Sequence, residues 1–127
     1  MSLNLASIYR RYLDCLNAQD WARLGAFVDE GAVHNGRPFG LAGYRALLER
    51  DFEQIPDLRF NAAFLITEEP YLSARLWFDC MPAGEFMGLP VNGRRVRFAE
   101  HVIYEFRKGR IVEVWSVIDK GQIEAQL

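Results

Sequence analysis

Cysteine, histidine and proline are scarce in this 127-residue chain, which holds two, two and five of them. Two cysteines, Cys15 and Cys80, can build no disulfide framework and show no metal-binding spacing. Both lie among apolar neighbours, so they read as buried thiols in a reducing cytoplasm. Two histidines, His34 and His101, lie on opposite faces and cannot make a three-ligand metal site without added carboxylates. No apolar run approaches the roughly 20 residues of a membrane span. Arg10 and Arg11 fall inside an amphipathic pattern and not ahead of an apolar stretch, so no signal peptide is expected. Basic excess is missing too. A formal charge of −2 and a pI near 5.7 leave no footprint for nucleic acid or an anionic membrane. Gly84, Gly88 and Gly93 come without a lysine or a following helix, which excludes a phosphate loop. Repeats and low-complexity tracts are also missing. What remains is a chain that is 50% hydrophobic, enough for a single domain, residues 1–127, around one core.

Helical spacing dominates the first half. Residues 4–18 set Leu5, Ile8, Tyr12, Cys15 and Leu16 on one stripe, widened by Tyr9 and Leu13. Asp20 reads as the N-cap of a short second helix carrying Trp21, Leu24, Phe27 and Val28, stopped by Gly31. A brief extended piece, Ala32 to Asn35, precedes a turn-rich segment. A third helix from about Leu41 aligns Tyr44, Leu48, Phe52 and Ile55, and Pro56 ends it.

Everything after that alternates as strand. Residues 58–67 set Leu58, Phe60, Ala62, Phe64 and Ile66 against Arg59, Asn61, Ala63, Leu65 and Thr67. Residues 71–80 set Leu72, Ala74, Leu76, Phe78 and Cys80 against Tyr71, Ser73, Arg75, Trp77 and Asp79. Two long strands then run from Gly93 to Asp119 around Arg107-Lys108-Gly109. A three-residue turn there pairs Phe106 with Arg110. One face then carries Phe98, Glu100, Val102, Tyr104 and Phe106 opposite Val112, Val114, Ser116 and Ile118. Glu100 falls opposite Ser116, the lone carboxylate on an apolar face. Helices first and an antiparallel sheet afterwards make an α+β domain. The N-terminal helices pack in the concave face of a strongly curved sheet, and the resulting cone encloses an apolar pocket.

Particular segments add a resemblance. IPDLRF at 55–60, GEFMGLPVNGRRVRF at 84–98, IYEFRKGRIVEVWSVID at 103–119 and the placing of His34 resemble the SnoaL-like polyketide cyclase (ester cyclase) family, within the nuclear-transport-factor-2-like superfamily. The resemblance spans nearly the whole chain. It implies a pocket that closes a ring by intramolecular aldol condensation with no metal or cofactor. It also implies an aspartate after the last strand's tryptophan as acid/base, and a histidine on the neighbouring strand. Here those positions are Ser116 and Val102, and Glu100 stands two residues before the latter.

Aldol chemistry needs a base for a carbon acid and a donor for the developing oxyanion. Glu100, walled by Phe98, Val102, Tyr104 and Val114, is the candidate base, because desolvation raises a carboxylate's pKa. Ser116, Tyr104 and Tyr12 are candidate donors, and His34 a candidate shuttle. The plainer possibility is a Glu100 that is solvated or paired with Arg94 or Arg97, in a binding module for a hydrophobic small molecule that has lost its catalytic acid. The opposite face of the sheet carries Arg75, Trp77, His101, Glu113 and Trp115. Tryptophans among charges mark an association surface, and the resemblance implies a homodimer through it. The alternative is that the C-terminal GQIEAQL covers that face.

Overall fold

The structure, a computed structural model, describes residues 4–127, so the first three residues of the expected domain lie outside it. Helix α1 (Leu5–Asn17) starts where the Asn4 side chain accepts from the Ser7 amide at 3.1 Å. Its stripe is as expected, with Leu5, Tyr9, Tyr12, Leu13, Cys15 and Leu16 buried. The expected second helix is a 3-10 turn, Trp21–Ala26, and Asp20 makes no capping hydrogen bond. Its carboxylate lies 4.0 Å from Arg23 instead. Gly31 ends no helix. It lies within strand β1 (Val28–His34), where its amide bonds the Asp29 side chain at 2.9 Å and interrupts the ladder.

Helix α2 (Gly40–Gln54) follows and buries Tyr44 and Leu48. Gly40 sits at φ +65°, and a Cβ there would meet the Glu30 carbonyl oxygen at 2.8 Å. Only glycine lets α2 start this close to β1. The main sheet adds β2 (Ala62–Glu68), β3 (Tyr71–Cys80), β6 (Val96–Arg107) and β7 (Arg110–Ile118), while β4 (Glu85–Phe86) and β5 (Leu89–Pro90) form a separate small hairpin. The order is β1-β7-β6-β3-β2, and β1 runs parallel to β7. The fold is α+β as expected, but its sheet is mixed and not wholly antiparallel. The short extended piece is a full edge strand.

Two bulges explain where alternation misleads. The β2–β3 register slips between Ala62 and Phe64. Phe64 and Ile66 are therefore exposed, and Leu65 packs against the core. At the central hairpin the turn is Lys108-Gly109, both with positive φ, and Arg107 pairs with Arg110. That two-residue turn slips the register by one, and a bulge slips it by one more, which restores the faces but not the pairs. Phe106 pairs with Ile111 and Glu105 with Glu113, leaving Val112 over. Ile111, expected outward, is fully buried. Downstream the faces are those expected, but Glu100 lies opposite Ile118 and Ser116 opposite Val102. Glu100 and Ser116 are diagonal neighbours, not direct ones.

Beyond Ile118 the chain turns into helix α3 (Lys120–Glu124), capped by the Asp119 side chain. Gln122 and Gln126 side chains accept from the Ala99 and Arg97 amides, each at 2.8 Å, and the Asp119 amide donates to the Ala99 carbonyl at 2.9 Å. These groups take the place of a strand where β7 has ended. Ala99 is buried in consequence.

Candidate functional site

The inner faces of β3, β6 and β7, with α1, α2 and the segment through Phe60, enclose two lobes of about 50 Å³ each. They share Asp51, Phe60 and Glu100 in their walls. Tyr12, His34, Val102, Tyr104 and Val114 line one lobe, and Phe98 lines the other with Phe78 and Phe86. A larger surface depression of about 370 Å³ lies between α1 and the 3-10 turn. It holds Arg11, Asp14 and Arg23 and does not reach Glu100.

Glu100 is half-buried, and the Ser116 hydroxyl donates to its Oε2. No lysine or arginine lines either lobe. Arg97, a partner suggested by the sequence, points outward and binds Asp79 at 3.1 Å. Burial therefore raises the Glu100 pKa, and the Ser116 hydrogen bond only partly opposes it. Ser116 is held by Asn35. Its amide donates to Asn35 Oδ1 at 2.8 Å, and Asn35 Nδ2 donates to its carbonyl at 3.2 Å. The clamp fixes the backbone and leaves Oγ free for the carboxylate.

His34, at the end of β1, lies 6.0 Å from the Tyr44 ring and 6.2 Å from that of Phe39, centroid to centroid. Burial lowers its pKa, which keeps the imidazole neutral at pH 7. Tyr12, Tyr44 and Tyr104 line this end of the hollow, and Tyr9 stands behind Tyr104. Tyr12 and Tyr44 hydroxyls meet at 2.6 Å, Tyr9 and Tyr104 at 3.1 Å. Each pair consumes one O–H proton, so a second remains for another acceptor. Desolvation raises all four pKa values, and the hydroxyls stay protonated donors. Both thiols are also pushed up by burial, Cys80 to about 12, so neither is an activated nucleophile.

His101 lies on the outer face, 3.1 Å from Arg75, away from the hollow. Asp51 was not singled out from the sequence, nor was Tyr44 as a site residue. Asp51 has risen to about 7, first through desolvation and then through Glu100, with Arg50 opposing. A signal existed: Asp51 sits seven residues after Tyr44 and four before Ile55, within α2's apolar stripe. Among the described residues, no three of histidine, cysteine, aspartate and glutamate gather as metal ligands.

The family described as SnoaL-like polyketide cyclase matches residues 6–127. A SnoaL-like polyketide cyclase from Agrobacterium tumefaciens strain C58 is 56% identical, with a TM-score of 0.97 over 98% of each chain. TsrD from Streptomyces laurentii is 23% identical with a TM-score of 0.83, covering 98% of this chain and 97% of its own. IdmH from Streptomyces antibioticus is 20% identical with a TM-score of 0.83 over 98% of each chain. The last two share the fold. Among curated proteins, none matches.

Proposed function

The chain belongs to the SnoaL-like polyketide cyclase family, and from that premise we propose that it enolises a hydrophobic carbonyl compound without a cofactor, with Glu100 as the base. The observation that carries this reading is a carboxylate in an apolar hollow, bonded to a serine hydroxyl and faced by no cation. Such a group is costly to ionise and so holds a proton strongly. Its counterpart is the tyrosine cluster, whose spare O–H protons suit the oxygen on which negative charge develops. The enolate would then close a ring by aldol addition or take its proton back at another carbon. Polyketide cyclisation is the form of this chemistry that the family's name suggests. Lobes of about 50 Å³ each fall far below the roughly 300–1,000 Å³ of a drug-sized site, so they hold the reacting end of a substrate and not a polycyclic body.

A binding module without catalysis is the competing reading, and the lack of an arginine on Glu100 counts against it. The test is exchange of α-hydrogens of β-keto esters with D2O, followed by NMR. Wild type should exceed the buffer rate and Glu100→Gln should not; equal rates for both would remove the catalytic reading.

We further propose that the protein self-associates through the outer sheet face, around Trp77, His101 and Trp115. Ile66, Ile103, Trp115 and Val117 are exposed there, and α3 covers only the end near Ala99. Clustered exposed apolar side chains favour a second copy over water. No helix among the described residues is long and apolar enough to cross a membrane. Two free buried thiols suit a reducing cytoplasm.

A further inference from the structure

We propose that Asp51 is the second acid–base residue of the hollow, sharing one proton with Glu100 and delivering it to the carbonyl oxygen of a substrate with an acidic α-C–H bond. The inference rests on the enolising role of Glu100 and adds a residue that neither the family match nor the chain's resemblances assign.

Asp51 and Glu100 come from opposite walls, α2 and β6, and both line both lobes. A substrate filling either lobe therefore meets both carboxyls. Asp51 takes part in none of the ion pairs or side-chain hydrogen bonds among the described residues, whereas Glu100 accepts from Ser116. The groups facing Asp51 are Glu100 and Tyr104 from β6, His34 from β1, Tyr12 from α1 and Tyr44 from its own helix. Every one is neutral or acidic, and the sole nearby cation is Arg50, the adjacent residue in sequence. Two carboxylates in one low-dielectric space without a cation resist ionising together, so the pair retains a proton up to near neutrality. The serine hydrogen bond favours the ionised form of Glu100, which leaves the proton on Asp51. The upward shift of Asp51 to about 7 agrees with that division.

The proton inventory closes without a co-reactant. The substrate's α-C–H bond breaks and its proton goes to Glu100, while the electron pair moves into a C–C double bond. The carbonyl oxygen receives the Asp51 proton. The product is the enol, an isomer of the substrate, and the pair still holds one proton, now on Glu100. Returning the two protons in the opposite sense resets the site.

The deciding experiment combines two measurements on the full chain. The first is a carboxyl 13C titration of wild type, Glu100→Gln and Asp51→Asn. Asp51 should titrate near neutrality in wild type and at lower pH in Glu100→Gln. An Asp51 near the ordinary carboxyl value of about 4, or one indifferent to Glu100→Gln, would overturn the pair even if no activity were found. The second is α-hydrogen exchange of ethyl acetoacetate in D2O. Asp51→Asn should slow it roughly 10- to 100-fold and flatten the alkaline limb of the pH profile. If Glu100→Gln abolished exchange while Asp51→Asn kept the wild-type rate and profile, Glu100 would stand as base and the shared proton would fall. Asp51→Glu, which keeps a carboxyl, should restore part of the rate; rescue no better than asparagine would count against proton delivery.

Discussion

Glu100 and Asp79 are carboxylates on adjacent, paired strands of one sheet, and they are held in opposite ways. Asp79 faces outward between Arg95 at 2.9 Å and Arg97 at 3.1 Å, whose hydrogen bonds pull its pKa down. Glu100 faces inward among aromatic and aliphatic side chains, and burial pushes its pKa up. Even-numbered positions of β6 point inward and odd ones outward, so a one-residue step along the strand decides between a solvated ion pair and a desolvated base. Cations are placed on one side of the sheet only. That segregation, more than the presence of a carboxylate, is what suits the inner face to the proton transfer proposed above.

The contrast can be broken most severely at Glu100 itself. Glu100→Gln keeps the shape and removes the base, and α-hydrogen exchange should fall by about 10²–10⁴-fold. Asp79→Asn, its outer counterpart, should leave exchange unchanged in the same assay. The outer face is probed by Trp115→Glu, which places charge in the exposed apolar patch. Sedimentation should show dimer association weakened or lost, with a dissociation constant raised at least about tenfold. A monomeric wild type at micromolar concentration would end that idea.

Stability offers a subtler handle. Asp51 has a folded-state pKa of about 7, above the unfolded carboxyl. As pH rises from about 4, the unfolded chain ionises first, so this group withdraws stability until its folded-state value is passed. Asp51→Asn removes that decline. At pH 8 the variant should melt above wild type by roughly 3–6 °C, an effect of about 1 kcal/mol. His34 works in the other direction, since its lowered pKa makes the fold lose stability on acidification below about 6.5. The smallest expected change is that of Ser116→Ala. It removes the hydrogen bond that favours ionised Glu100, so the acid limb of the exchange profile should move to higher pH. A profile that stayed fixed would place the serine outside the site's electrostatics.

Sequence alternation was a good guide wherever a strand was unbroken. The inward residues of β3, from Leu72 to Cys80, are all buried as expected. The strand's period of two carries no information about bulges, so the alternation that sets Phe64 and Ile66 on one face with Phe60 and Ala62 fails at that point. At the β6–β7 hairpin a two-residue turn and a bulge compensate, which kept Glu100 and Ser116 on one face although their pairing was misjudged. Strand β1 hid because Gly31 and the Asp29 side chain interrupt it, and a parallel partner over 80 residues away leaves no local pattern. Asp51 was legible in principle. A carboxylate on an apolar helix stripe carries the same signal as one on an apolar strand face, but helical faces are wider, and a polar residue on them is ordinary.

The last helix has a consequence for handling the protein. Residues 119–126 occupy backbone positions of β6 that would otherwise be open to another chain. A truncation after Ile118 would unseal them beside the exposed apolar side chains of the outer sheet face, inviting recruitment of strands from neighbouring molecules. Such a shortened protein should form thioflavin-positive assemblies well before its pocket chemistry is impaired.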